Sequence, residues 1–311
     1  MARGGTGYGT IDFLEKCVSY ALTSDMSKNI VRCSPSSRTD AGVHALNNAI
    51  MIQTPSAYSL KTDLINKKQQ IDTINQIIND VNPDSMKVLD YVHVVPGFCA
   101  RRHVSYRMYS YRLAIARDYS IYEEHKNQPS LVSFSEKDYA WILPPGFNIE
   151  KANKACEMFK GHKNVASFYK HPERERKREM SEGMSFQSTW RNFLLVNMTK
   201  GAPKKIENEL FDYININIIS RSFVREQIRK MMTLIVGCAY DTMNPSIIDY
   251  MFANPRPSNF QNLKLKVAPP EGLHLAQIVY DPGMFTYPVP YYKNAWDSAE
   301  WNETVNIWYN K

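Results

Sequence analysis

The sequence has little that would fix a cross-linked or membrane-bound structure. Its five cysteines, at 17, 33, 99, 156 and 238, are scattered, with no Cys-x-x-Cys pair and no histidine cluster beside them. An odd, unspaced set argues against a disulfide framework and a structural zinc, and makes a reducing compartment the simpler assignment. Long apolar runs are missing: the most apolar stretch, near Met231 to Val236, is far too short to cross a bilayer. The opening Met-Ala-Arg-Gly-Gly-Thr-Gly has the form of neither a secretory signal nor a transit peptide. Glycine-rich phosphate loops, fixed-period repeats and low-complexity tracts are also lacking. These absences weigh against a disulfide scaffold, a membrane protein, a P-loop nucleotidase and a solenoid.

What is present is ordinary globular material with a basic excess. The 311 residues are 43% apolar and 22% charged, enough for two domains and a sizeable core. Lysine and arginine outnumber the acidic residues 38 to 31, giving a net charge of +7. That balance suits a polyanionic partner without requiring one.

Helical and strand periods alternate along the chain. Thr10 is read as the cap of a helix carrying Leu14, Val18, Ala21 and Leu22 on one stripe. Strands are expected at Asn29 to Cys33 and Asn48 to Gln53. A second helix carries Leu60, Leu64, Ile71, Ile74, Ile78 and Val81 and stops at Asn82-Pro83; a strand then runs from Met86 to Val95. Tyr106 to Leu113 alternates as a long strand, with Arg107, Tyr109, Tyr111 and Leu113 on one face. A helix over Ile149 to Lys160 buries Ala152, Ala155, Cys156 and Phe159. Trp190 to Met198 and Phe211 to Ile219 form an antiparallel pair joined through Gly201-Ala202-Pro203. A helix with Val224, Ile228, Met231 and Ile235 inward then places Arg225 and Arg229 one turn apart. The mixed-charge run Lys170 to Glu182 reads as a solvated loop. The whole is an α+β pattern with helices on one face.

One run concentrates chemistry: Ser37-Arg38-Thr39-Asp40-Ala41-Gly42-Val43-His44-Ala45. In an extended segment Arg38 and Asp40 share a side, so the guanidinium can hold the carboxylate ionised and aimed. Gly42 permits a tight turn or a close approach, and His44 adds a potential donor. Read alone, the same residues describe a surface turn with an ordinary ion pair.

The unbroken run resembles the signature of the TruA-type tRNA pseudouridine synthases, in which this aspartate is the essential catalytic residue. Further segments resemble the family in the same order: Phe98-Cys99-Ala100-Arg101, the strand bearing Tyr109, Gly161 to Phe168, Gln227-Ile228-Arg229, and Val267-Ala268-Pro269-Pro270-Glu271-Gly272-Leu273. The details look most like the animal pseudouridine-synthase-like branch.

The resemblance implies two α+β domains, 1–97 and 98–282, whose antiparallel sheets join around a basic RNA cleft, followed by an aromatic-rich tail, 283–311. It implies isomerisation of uridine to pseudouridine in tRNA or other structured RNA, without cofactor, metal or membrane, by a homodimer. Asp40 would be nucleophile or base, Arg229 would aim it, and Arg38 would hold the nucleotide or a phosphate. Tyr109 would serve the C5 proton or stack on the uracil; Leu273 would pack against the base and His44 would line the pocket. Arg101, Arg107, Arg225 and Lys230 are candidate phosphate contacts. The family opens on a strand and a Tyr-Asp-Gly-type turn ahead of the first helix; neither precedes Thr10, so the expectation is either a truncated chain or isoform or a sheet one strand short. Mitochondrial and cytosolic or nuclear locations both remain open. Two rival readings stand beside this one: a non-catalytic RNA-binding protein that keeps the fold, and a hydrolase using Asp40 and His44 as metal ligands.

Overall fold

The structure is a computed structural model that describes residues 9–58, 60–61, 63–95, 97–127, 138–171, 189–202 and 210–285. The glycine-rich start, Pro203, most of the run from Lys170 to Glu182 and the aromatic tail beyond Phe285 lie outside the described residues. The chain divides into two compact units. One takes in the chain up to Asp40, Asn48–Val104 and the segment from Tyr280; the other takes in Ala41–Asn47 and Ser105–Val279.

In the first unit, α1 (Thr10–Thr23) is capped by Gly9 and not by Thr10. The Asp12 carboxylate reaches back to accept from the Gly9 N–H at 3.2 Å, which sets the first turn one residue earlier than the sequence suggested. Ile11, Leu14, Cys17 and Val18 of α1 pack with Val31, Cys33, and Ile74 and Ile78 of the second helix. Each such buried aliphatic side chain contributes roughly 1.5–3 kcal/mol.

Next come β1 (Arg32–Pro35), three residues beyond its expected start, and β2 (His44–Ala45), which belongs to the second unit. The chain then returns as β3 (Ile50–Gln53), antiparallel to β1, with Arg32 opposite Gln53 and Pro35 opposite Ile50. Backbone donors beside and within β1 are taken by α1 side chains. Val31 N–H donates to Ser19 Oγ at 3.2 Å and Cys33 N–H to Glu15 Oε1 at 2.8 Å. This explains why α1 buries a serine and a glutamate. Helix α2 (Leu64–Val81) is capped by Asp63, whose carboxylate accepts from Asn66 N–H, and ends at Asn82 as expected.

The strand expected over Met86–Val95 is not formed. The Asn75 side-chain amide takes both groups of Val88, accepting its N–H at 2.7 Å and donating to its carbonyl at 2.9 Å. A helix side chain thereby replaces a ladder partner.

The second unit is built on β4 (Val104–Ala116), longer at both ends than its alternating pattern indicated. As expected, Arg107, Tyr109, Tyr111 and Leu113 are buried on one face, while Tyr106, Met108, Ser110 and Arg112 are half-buried on the other. After it come α3 (Tyr119–Asn127), β5 (Trp141–Leu143), α4 (Ile149–Met158), β6 (Gly161–Asn164), β7 (Trp190–Lys200) and β8 (Phe211–Ser220). They are followed by α5 (Gln227–Ala239), α6 (Ser246–Ala253) and β9 (Leu273–Tyr280). The seven-stranded sheet runs β2–β9–β4–β8–β7–β6, with β5 also on β4. β4–β8, β8–β7 and β7–β6 are antiparallel; β2–β9 and β4–β5 are parallel. The α+β class expected from the sequence is the one formed.

Helix α5 is buried nearly all round, with Arg229 the half-buried exception. It begins at Gln227, later than the apolar stripe implied. Glu226 adopts a left-handed conformation (φ 61°) and the Gln227 side chain accepts the Val224 N–H at 2.9 Å. Arg225 therefore sits outside the helix, not one turn from Arg229. Among the described residues no helix is long and apolar enough to cross a membrane.

Candidate active site

The Arg-Thr-Asp run occupies the connection from β1 to β3. Its ends are pinched together: Ser36 N–H donates to the Ala49 carbonyl at 2.8 Å, and Asn48 Nδ2 donates to the Ser37 carbonyl at 3.1 Å. Asp40, half-buried, is the last residue of this part of the first unit; Arg38 is exposed. Among the described residues Arg38 makes no ion pair with Asp40. Residues Arg38 to Asp40 belong to no strand.

From Ala41 the loop belongs to the second unit. Gly42 has φ +77°, and a Cβ there would lie 2.9 Å from Pro270 Cγ, so glycine is required twice over. β2 then pairs in parallel with β9, His44 opposite His274, and Leu46 N–H donates to the Leu275 carbonyl at 2.9 Å. His44 Nε2 donates to the Asp138 carbonyl at 2.6 Å. Its ring lies 4.4 Å from Tyr139 and 5.2 Å from His274, centroid to centroid.

The segment ahead of β9 is held from two sides. Thr233 Oγ1 donates to the Lys266 carbonyl at 2.8 Å and accepts the Ala268 N–H at 3.0 Å. Arg229 Nε donates to the Ala268 carbonyl at 2.7 Å, which fixes the plane of its guanidinium. Tyr111 donates to the Pro269 carbonyl at 2.5 Å, and Arg112 N–H to the Gly272 carbonyl at 2.7 Å. Burial pushes the Tyr111 phenol well above its ordinary range, keeping it a donor. Leu273 is buried in the same core cluster as Tyr109, whose ring meets Phe223 edge-on at 5.1 Å. Tyr109, Arg229, Leu273 and His44 thus share one unit, and Asp40 and Arg38 belong to the other.

The four candidate phosphate contacts separate cleanly. Arg101 and Arg225 are exposed. Arg107 is buried and donates to the Arg221 carbonyl, and Lys230 is buried with Nζ donating to the Tyr169 carbonyl at 3.0 Å. Neither presents its charge to an RNA backbone, so both assignments are withdrawn; each is a structural cation whose stem packs in the core. Burial lowers the Lys230 pKa to about 8, opposed by Glu226 and reinforced by Lys170, which themselves pair at 2.8 Å. Among the described residues no three His, Cys, Asp or Glu side chains converge as a metal site.

Sequence reasoning missed Tyr139 and His274. His274 directly follows the Gly272-Leu273 motif and was signalled only by that adjacency; Tyr139 carries no local signal, because its role depends on β2 and β9 meeting.

The α+β fold is consistent with that of the pseudouridine synthases. A family model described as tRNA pseudouridine synthase matches residues 155–281. The chain is 24% identical over 249 residues to tRNA pseudouridine synthase-like 1 of Xenopus laevis, covering 79% of this chain and 75% of that protein. It is 23% identical over 281 residues to the Mus musculus protein of the same name, covering 88% and 85%. With tRNA pseudouridine synthase A of Caldicellulosiruptor bescii it shares 26% identity over 245 residues, covering 79% and 81%. The family model and these relatives make the chain similar to the TruA-type tRNA pseudouridine synthases.

Proposed function

We propose that this chain isomerises uridine to pseudouridine in tRNA, with Asp40 as its central carboxylate. The observation that carries the reading is the unbroken Ser37–Ala45 run on a loop pinched at its base and turned at Gly42. The names of the relatives and of the matching family support tRNA as the substrate.

The reaction breaks the bond from ribose C1′ to uracil N1, turns the base, and joins C1′ to C5. A proton leaves C5 and N1 gains one, so atoms and charge balance with no redox partner. Asp40 acts beside the sugar as nucleophile or base, assisting glycosidic cleavage and the proton movement. The plane of Arg229 is fixed by the Ala268 carbonyl, and the family resemblance assigns to this arginine the task of keeping the carboxylate ionised and aimed. Tyr109 serves the C5 proton or stacks on the uracil, and Leu273 packs against the base. Exposed Arg38 holds the extruded nucleotide or its phosphate. The target base must leave its stack, at a cost of a few kcal/mol. Arg101 and Arg225 remain candidates for phosphate contact, and a homodimer is part of the reading.

The test is nucleoside chromatography of tRNA transcripts after incubation with the protein. Appearance of the C-glycoside isomer supports the reading. Bound tRNA with uridine unchanged would favour the non-catalytic RNA-binding alternative.

A further inference from the structure

Asp40 ends one unit, and the next residue begins a short loop whose other attachments all lie in the second unit. Those attachments are dense for seven residues. Gly42 abuts the Pro270 ring, β2 pairs with β9, and both Leu46 and Asn47 N–H groups reach the Leu275 carbonyl, at 2.9 and 3.4 Å. The side-chain part of the mooring is His44. Its ring meets both Tyr139 and His274, at 4.4 and 5.2 Å, with interplanar angles of 32° and 25°; those two rings meet each other at 6.1 Å, so the three form a triangular cluster. Its Nε2 donates to the Asp138 carbonyl at 2.6 Å. His274 is itself fixed, Nδ1 donating to the Gly272 carbonyl at 3.0 Å from a buried position.

We propose that Tyr139 and His274 are positioning residues for the isomerisation, clasping His44 so that the loop leaving Asp40 keeps one conformation. The inference rests on the pseudouridine-synthase reading. The physical reason is lever length. Only three residues separate Asp40 from His44, and a displacement of ~1 Å at a reacting group costs on the order of a hundredfold in rate. A two-residue parallel bridge is too short to be rigid alone; a cluster of three mutually contacting rings, anchored by two hydrogen bonds to carbonyls, supplies the missing stiffness. Tyr139 is half-buried and belongs to none of the hydrophobic core clusters, so its removal leaves the core intact. Its effect therefore falls on the loop. His44, in this account, contributes by holding the loop more than by lining a pocket.

The experiment compares wild type, Tyr139→Ala, Tyr139→Phe and His44→Gln. It reads kcat and KM on one tRNA together with amide hydrogen exchange of peptides covering 41–47. For Tyr139→Ala, kcat should fall about tenfold to a hundredfold with KM within about twofold, and the Leu46 and Asn47 amides should exchange faster. Tyr139→Phe, which keeps the ring, should recover most of both. His44→Gln, which keeps a donor but loses the stack, should resemble Tyr139→Ala. Wild-type kcat in Tyr139→Ala, or loop exchange unchanged in both Tyr139→Ala and His44→Gln, overturns the proposal. A wild type that never isomerises uridine refutes the functional reading instead, while the exchange comparison still decides the mooring.

Discussion

Replacing Lys230 by methionine should stabilise the protein at neutral pH, and the size follows from where the ammonium sits. Lys230 lies on the buried surface of α5, over the Phe260 ring at 5.1 Å, with the Tyr169 carbonyl as its acceptor. Burial lowers its pKa from 10.5 to about 8. At 1.36 kcal/mol per unit this corresponds to about 3 kcal/mol against the charged folded form. An unfolded lysine keeps its proton to pH 10.5, whereas the folded one releases it near 8. Between those values the unfolded chain binds more protons, so raising pH favours folding; below about 8 the full cost is present. Methionine avoids that cost but leaves the Tyr169 carbonyl without its donor, a loss of about 1–2 kcal/mol. The net expectation at pH 7 is a gain of about 1–2 kcal/mol. Cys156, pushed by burial to about 12, the buried Tyr111 and the half-buried Tyr240, both also raised, act in the opposite sense at high pH. The informative quantity is therefore the difference between wild type and Lys230→Met in urea unfolding across pH 7 to 10. That difference should shrink or reverse as pH rises. A flat difference would refute the reasoning, because the proton on Lys230 would then be indifferent to folding.

Gly42→Ala places a methyl 2.9 Å from Pro270 Cγ at a φ of +77°, so a local cost of about 2–3 kcal/mol is expected. It should appear as faster exchange of the Leu46 amide and lower kcat. Arg225→Ala should reduce the slope of log affinity for tRNA against log salt by about 0.7–0.9, one phosphate contact. Arg107→Ala should leave that slope unchanged and instead lower Tm, because it strips the Arg221 carbonyl of a buried donor. Tyr111→Phe removes the donor to the Pro269 carbonyl and should cost about 1–3 kcal/mol in urea unfolding.

The parts of the fold that were legible are those where one period dominates. Tyr106 to Leu113 alternates because one face is core, and Ile74 and Ile78 recur because one face of α2 is core. Met86–Val95 misled for the complementary reason: Val88 satisfies its backbone through Asn75, a partner that no local pattern reveals. Glu226 hid the start of α5, since a left-handed residue inside an apolar stripe leaves the stripe intact. At the site, the family resemblance nominates Asp40, Arg229 and Leu273 without geometry. It could not say that the Arg38–Asp40 pairing fails, nor that His44 is clasped by Tyr139. Among the basic residues, sequence offers charge but not burial, and burial separated Arg225 from Lys230.

The most direct measurement is tritium release from tRNA carrying C5-tritiated uridine, for wild type and Asp40→Asn at concentrations where both bind the RNA. Forming the C1′–C5 bond expels the C5 hydrogen, so release reports the isomerisation itself. The account predicts release by wild type and none above background by Asp40→Asn with tRNA affinity retained. Equal release by the two proteins would contradict it.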